Sequence, residues 1–331
     1  MAKETRDRPV VGIDLGGTKI LAGVVDAKGK IIGLAKRATK PEDGVEAVVE
    51  RMAKTVREAV SNAELSSGDI AAVCSCAPGT IDAERGVVRF APNLHNWENV
   101  PLAKLLGDKL DLPAFVENDV NLGTLGEYVL GAGQGIDNVV GIFVGTGIGG
   151  GLILDGKLWG GWRGGAGEVG HTVVLAEGPV CGCGSRGCVE ALASRTAIER
   201  DIWAGVKAGR PSLIPEIMQR DKRQRLTSGA LAEAFEKGDP LVREVIGRAQ
   251  FYIGVLVGNL VNIIDPQMVI IGGGVAEALG EKYVEPIRPV AYQYFINKRG
   301  AGDVQIVSAM LGDNAALLGA AVHARRQLGA G

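Results

Sequence analysis

Two stretches of this chain repeat one pattern, and the repeat restricts the fold more than any other feature. Residues 10–26 read VVGIDLGGTKILAGVVD, and residues 139–157 read VVGIFVGTGIGGGLILDGK. Each is an apolar, β-branched run, a glycine turn and a second apolar run, which is the signature of strand, turn, strand. A turn of Asp, Gly and Lys follows both copies, at residues 26–30 and 155–157. Either hairpin alone is at home in many folds. Two in one chain argue for duplicated α/β halves. After the first copy come a third strand at 31–38, a helical period over 42–63, and a buried strand at 70–76 ending at Pro78-Gly79. A strand at 114–116 then passes into a helix at Asn118-Asp119. Further on, Thr227-Ser228 reads as a helix N-cap ahead of 230–236, and residues 240–264 form a long, increasingly apolar helix. A buried strand at 268–271 runs into Gly272, Gly273 and Gly274 and another helix. The last helix, about 315–327, is expected to pack back on the N-terminal half.

With 331 residues the chain exceeds the usual size of one core, so two lobes are expected. The division is placed between a small lobe of residues 1–119 with the C-terminal helix 313–331 and a large lobe of residues 120–312. The 50 glycines fall in bursts between apolar runs without a collagen-like period, so they read as tight turns. A formal net charge of -2 gives no electrostatic case for nucleic acid or an anionic membrane as partner. Residues 1–8 are charged and lack the apolar core of a signal peptide. The most apolar later stretch, 252–264, is too short to span a bilayer and contains Asn259 and Asn262. The expected location is cytoplasmic, where disulfides are rare and clustered cysteines more often bind metal.

Consecutive glycines let backbone N–H groups converge on an anion, and a neighbouring hydroxyl adds a donor. Gly16-Gly17-Thr18, leading into Lys19, and Gly145-Thr146-Gly147 both fit, although such turns also simply join strands. Neither is a Walker A loop or a Rossmann fingerprint, which lead from strand to helix. Gly272, Gly273 and Gly274 do lead into a helix, where a nucleotide can bind. Asp14, at the end of its strand, is placed to hold a water of Mg²⁺, an ion that takes one or two carboxylates together with phosphate oxygens.

His171, Cys181, Cys183 and Cys188 fall within eighteen residues. A Cys₃His set suits tetrahedral zinc, and four protein ligands make the site structural rather than hydrolytic. Cys74 and Cys76 lie in an apolar strand and read as core residues. Asp119 is either the base of a phosphoryl transfer or part of a helix cap with Asn118. Glu168, Glu190 and Asn93 are either polyol ligands or surface groups.

These segments together resemble the ROK sugar kinases of the actin/hexokinase-like ATPase superfamily, and among them the glucokinases. The resemblance rests on Asp14 to Thr18, Ala77-Pro78-Gly79, Ala91-Pro92-Asn93-Leu94, Glu117-Asn118-Asp119, residues 145–151, Gly167-Glu168-Val169-Gly170-His171 and residues 181–190. It implies a two-lobe, ribonuclease H-like α/β fold that closes on ATP and sugar. It implies Asp119 as catalytic base, with Asn93, Asn118, Glu168, His171 and Glu190 on the sugar hydroxyls and the backbone of Gly79 nearby. His171 then serves zinc through one ring nitrogen and the sugar through the other. ATP and Mg²⁺ are the implied cofactors beside structural Zn²⁺, with the glycine turns on the phosphates and residues 272–274 near the adenosine. The implied reaction transfers the γ-phosphoryl group of ATP to the 6-hydroxyl of glucose, in a homodimer or homotetramer. N-acetylmannosamine, mannose, fructose or allose are alternative acceptors, and polyphosphate an alternative donor. A sugar-sensing repressor of the same scaffold would carry a helix-turn-helix ahead of the first glycine turn, and few residues precede Val10. Ser75 stands where the family pattern has glycine, and residues 93–97 lack a Pro-Gly before Trp97; both bear on the choice of hexose.

Overall fold

In the computed structural model, residues 7–91 and 94–329 are described. The chain forms two compact units: Met1–Gly135 with Gly151–Ala166 and Asp313–Gly331, and Ile136–Gly150 with Gly167–Gly312. The first unit contains β1 (Val10–Leu15), β2 (Lys19–Val25), β3 (Ile31–Ala38), helix α1 (Val45–Asn62) and β4 (Val73–Ala77). It continues with β5 (Thr80–Asp82), β6 (Val87–Phe90), β7 (Glu98–Val100), α2 (Leu102–Leu110), β8 (Ala114–Asn118) and α3 (Asp119–Leu130). The remaining strands are β9 (Val139–Val144), β10 (Ile148–Leu154), β11 (Lys157–Leu158), β12 (Met268–Gly272) and β13 (Gln305–Ser308). Between β11 and β12 come α4 (Val189–Ala193), α5 (Arg195–Lys207), α6 (Ile214–Arg220), α7 (Ser228–Glu236) and α8 (Pro240–Ile264). Helices α9 (Gly274–Leu279), α10 (Glu281–Val284) and α11 (Ile287–Tyr294) follow β12, and α12 (Ala315–Gln327) ends the chain.

The duplication read from the hairpins extends to whole sheets. One sheet has the order β3-β2-β1-β4-β8 and the other β11-β10-β9-β12-β13, so both place their strands third, second, first, fourth, fifth. In each, the hairpin joins two parallel strands: β4 and β8 run parallel beside β1, and β12 runs parallel to β9 and β13. The parallel strands β4 and β12 are buried throughout and read as continuous apolar runs, as strands covered on both faces do. A small antiparallel sheet, β5-β6-β7, inserts between β4 and α2.

Register sets the functional end of the first sheet. Asp14 of β1 pairs with Cys76 of β4, Cys76 with Glu117 of β8, and Ala77 with Asn118. These positions lie at the carboxyl ends of parallel strands, the edge where α/β sheets build their sites.

Helix α12 packs back on the N-terminal sheet, as expected. A Cβ on Gly12 of β1 would lie 3.0 Å from the carbonyl carbon of Leu317. Helix α3 crosses α12 so closely that a Cβ on Gly319 would lie 2.5 Å from the carbonyl carbon of Leu122. This packing explains why the first unit runs through α3 to Gly135 instead of ending at residue 119: the helix that starts at Asp119 belongs to the core of its own sheet. The unit also takes in Gly151–Ala166.

In the second unit α8 starts as the sequence predicts, with Asp239 accepting from Val242 N at 3.0 Å ahead of Pro240. It buries Leu241, Val245, Ala249, Ile253, Leu256 and Leu260, at helical spacing. Thr227 caps α7 by accepting from Ala230 N at 3.2 Å. Among the described residues no helix is long and apolar enough to cross a membrane.

Candidate active site

Asn118 and Asp119 sit where β8 becomes α3, and the cap that the sequence offered for this pair is present. Asn118 has extended backbone, and its Oδ1 accepts from Val120 N at 2.9 Å and Asn121 N at 3.1 Å, an N-cap in form. Its Nδ2 donates to Gly79 O at 3.1 Å. Gly79 has φ +92, and a Cβ there would lie 3.0 Å from Ala91 Cα, so only glycine suits this position. The cap fixes Asp119 at the first turn of α3, where Val120 N donates to its Oδ1 at 3.0 Å.

Asp14 lies two strands away in the same sheet. The Cys76 thiol donates to its Oδ1 at 3.1 Å. Burial pushes the Asp14 carboxyl above its ordinary value, against the thiol's hydrogen bond and the Lys19 charge, which lower it. Burial pushes the Cys76 thiol well up, and the charges of Asp14 and Asp119 add to that. Cys76 is thus a core residue, as read, but one lodged between two carboxylates. In the sequence Glu117 stands out only as part of a motif. Its Oε1 accepts from Asn118 N at 2.8 Å and from Asn121 Nδ2 at 3.1 Å, and burial raises its carboxyl.

The first glycine turn is closed by Gly16 N donating to Lys19 O at 2.9 Å. Thr18 and Lys19 are exposed, and Lys19 Nζ lies 4.0 Å from Asp313 Oδ2. In the second unit Gly145 N donates to Gly147 O at 2.9 Å in the matching turn. Gly273 has φ +86, and a Cβ there would lie 2.5 Å from Val144 N, so the turn of residues 272–274 adjoins the strand end that carries Gly145.

The cysteine loop is a small hairpin, with Cys181 N donating to Ser185 O at 2.8 Å and Gly184 N to Cys181 O at 3.0 Å. The ligand atoms of His171, Cys181, Cys183 and Cys188 all lie within 4.8 Å of one another. Zinc with Zn–S near 2.3 Å and Zn–N near 2.05 Å has tetrahedral edges of roughly 3.8 Å for S···S and roughly 3.6 Å for S···N. Cys183 Sγ and Cys188 Sγ are 3.7 Å apart, and Cys181 Sγ and His171 Nδ1 3.6 Å. The donor set therefore fits the ion. It presents Nδ1 of His171 to the metal position and leaves Nε2 for another partner.

Glu190, at the start of α4, accepts from Ile148 N at 3.0 Å through Oε2, and its Oε1 lies 3.6 Å from Cys181 Sγ. A Cβ on Gly147 would strike that carboxylate. Glu190 thus ties the cysteine loop to the second glycine turn, a link that no sequence spacing foretold. Glu168 is exposed ahead of the short 3₁₀ turn Val169–His171, its carbonyl accepting from His171 N at 3.1 Å. Asn93 lies outside the described residues.

The ROK family pattern matches residues 10–327, nearly the whole chain. This chain belongs to the ROK family. A glucokinase of Thermotoga maritima is 38% identical over 97% of this chain and 98% of its own length. Among solved structures, a ROK family glucokinase from Streptomyces griseus in complex with glucose and AMPPNP is similar. It is 36% identical, with a TM-score of 0.81, over 96% of this chain and 99% of that one. A ROK hexokinase from Thermus thermophilus is 37% identical, with a TM-score of 0.80, over 98% of this chain and 100% of that one. The fold expected from sequence, the actin-like and hexokinase-like ATPase fold with duplicated α/β halves, is the one this ROK chain has.

Proposed function

We propose that this ROK chain is an ATP-dependent glucokinase, transferring the γ-phosphoryl group of ATP to the 6-hydroxyl of glucose and releasing glucose 6-phosphate and ADP. One observation carries the reading: Asp14 and Asp119 flank Cys76 at the carboxyl edge of one sheet, in a chain 38% identical to a glucokinase from end to end. Phosphoryl transfer asks a protein mainly for positioning and charge, with one carboxylate to accept the acceptor's proton. Asp119, held at the first turn of α3, takes the proton of the 6-hydroxyl as its oxygen attacks. Asp14 would hold a water of Mg²⁺ when the ion is bound. The N–H groups of the glycine turns offset charge that develops on the phosphoryl oxygens, and Mg²⁺ bound with ATP would supply further positive charge there.

In this reading Asn118, Asp119, the backbone of Gly79, and Asn93 serve the sugar, while Gly16, Gly17, Thr18 and Lys19 serve the phosphates. Glu168, His171 and Glu190 serve the sugar hydroxyls, with Gly145, Thr146, Gly147, Gly272, Gly273 and Gly274 for the nucleotide. A carboxylate has about four lone-pair sites, so Glu190 can accept from a hydroxyl while holding Ile148 N. His171, Cys181, Cys183 and Cys188 would hold a structural zinc, with Nδ1 of His171 as its ligand and Nε2 left for a sugar hydroxyl. Three clustered thiols suit the reducing cytoplasm. The assembly is a homodimer or homotetramer, in which a neighbour can cover exposed apolar groups such as Ile263, Ile296 and Met310.

The test is Asp119→Asn. The amide keeps an oxygen for Val120 N, so the cap stays intact while the base is lost. Turnover should fall by about 10²- to 10⁴-fold, the usual worth of a general base, with glucose affinity held within about threefold. A kcat near that of the unaltered chain would refute the role of Asp119.

A further inference from the structure

Each glycine turn is held from behind by a threonine of its own unit. Thr39, fully buried at the end of β3, donates through Oγ1 to Gly16 O at 2.6 Å and through its backbone N–H to Thr18 O at 3.0 Å. Its own carbonyl accepts from Arg51 Nη1 at 3.1 Å, which anchors it to α1. In the second unit the hold comes from the first two residues of α5. Arg195 N donates to Gly145 O at 3.0 Å, and Thr196 Oγ1 to Thr146 O at 2.7 Å. Arg195 Nη2 also donates to Thr146 Oγ1 at 2.7 Å. The first N–H groups of a helix have no acceptor within it, so Arg195 N is a spare donor spent on the turn. Ser194 caps the same helix, accepting from Ala197 N at 3.1 Å.

A peptide carbonyl and the N–H that follows it leave one rigid plane in opposite directions. A carbonyl anchored on the protein side therefore turns the next N–H away from it. Anchoring Gly16 O directs Gly17 N–H outward; anchoring Gly145 O and Thr146 O does the same for Thr146 N–H and Gly147 N–H. The need is greatest next to glycine, which takes either sign of φ at little cost and so lets its peptides flip. Thr146 gains further: its hydroxyl oxygen receives Arg195, and its hydrogen is left to donate.

We propose that Thr39 and Thr196 are positioning residues for ATP, each fixing the peptide plane that aims a glycine-turn N–H at a phosphate. The inference rests on the ATP-binding reading above and adds two residues that contact no phosphate themselves. Neither is marked in the sequence: Thr39 is a polar residue following a strand, and Thr196 one of two hydroxyl residues at a helix start.

The test is calorimetric binding of Mg-AMPPNP, and separately of glucose, to the full chain carrying Thr39→Val, Thr39→Ser, Thr196→Val or Thr196→Ser. Valine keeps the shape and removes the donor; serine keeps the donor. Each valine variant should bind Mg-AMPPNP about 5- to 10-fold more weakly, the worth of one hydrogen bond, with glucose affinity within about twofold. Each serine variant should restore nucleotide affinity. Thr196 is exposed, so Thr196→Val tests the idea even if the buried Thr39→Val fails to fold. Valine variants that bind Mg-AMPPNP like the unaltered chain overturn the inference. Serine variants as weak as valine also overturn it, since methyl packing would then be the cause. An unaltered chain that binds Mg-AMPPNP yet leaves glucose unphosphorylated would sink the glucokinase reading while this one stands.

Discussion

Gly319→Ala places one methyl group at the crossing of α12 and α3, outside the proposed chemistry, and should cost both stability and turnover. The new Cβ would lie 2.5 Å from the carbonyl carbon of Leu122 and 3.0 Å from Gly126 N. Carbon atoms pack best at about 3.5–4.0 Å, and the Leu122 carbonyl oxygen lies closer to the new Cβ than its carbon does, so α3 must retreat by at least roughly 1 Å. Both obstructing groups are helix backbone, which cannot swing aside as a side chain would. Overpacking of this kind costs about 1–3 kcal/mol, and here the upper end applies. Alanine returns about 1 kcal/mol through its better helix propensity. A net loss of about 2 kcal/mol remains, or roughly 3 °C in Tm for a chain of 331 residues. Leu122 lies one turn beyond Asp119, so the retreat is passed to the proposed base. A 1 Å misplacement can cost about 10²-fold in rate, and kcat should fall by that order with the glucose KM changed less. Differential scanning calorimetry and a coupled ADP assay measure the two effects. Gly247→Ala is the control: nothing lies within 4 Å of its Cβ on α8, so it should leave kcat alone and stabilise slightly. A Gly319→Ala chain with unaltered Tm and kcat would refute the argument.

Cys183→Ser should remove zinc, from about one ion per chain to none, and weaken glucose binding; elemental analysis showing unchanged zinc would refute the cluster. Tyr283→Phe should stabilise by about 1 kcal/mol in urea unfolding, because the buried hydroxyl has no partner among the described residues; lost stability would mean that the hydroxyl is satisfied. Burial, helped by the Arg326 charge, lowers His323 to about 4 from an ordinary 6.5. The folded chain keeps it neutral, so its stabilising share is complete above pH ~6.5 and is lost as pH falls towards ~4, about 2 kcal/mol by pH 5 and about 3 in full. The raised carboxyls of Asp14 and Glu117 act oppositely, gaining stability as they protonate. His323→Gln isolates the histidine: it should flatten the loss between pH 7.5 and 5, and an unchanged slope would remove His323 from the account.

The hairpin repeat was enough to foresee duplicated halves, and the two sheets share one strand order because each grows from such a hairpin. Capped helices were legible almost to the residue, since Asp239-Pro240 and Thr227 announce their starts locally. The β5-β6-β7 sheet leaves no mark in the sequence. Its strands are three or four residues long and carry Asp82, Arg89 and Glu98, too short and polar to show a period. The place of Cys76 between Asp14 and Asp119 depends on parallel register across three strands, which no single segment encodes. Likewise, the bond from Ile148 N to Glu190 joins residues forty-two apart, and only the folded turn reveals it. Local chemistry, as in the cysteine loop, was readable because its ligands are near neighbours in sequence.

The most direct measurement follows ADP release with Mg-ATP against glucose, mannose, fructose, allose, N-acetylglucosamine and N-acetylmannosamine, and locates the phosphate on the product by NMR. The predicted result is a dominant kcat/KM for glucose with phosphate on the 6-hydroxyl. Preference for another sugar, phosphate at another position, or no ADP from any of the six would contradict it.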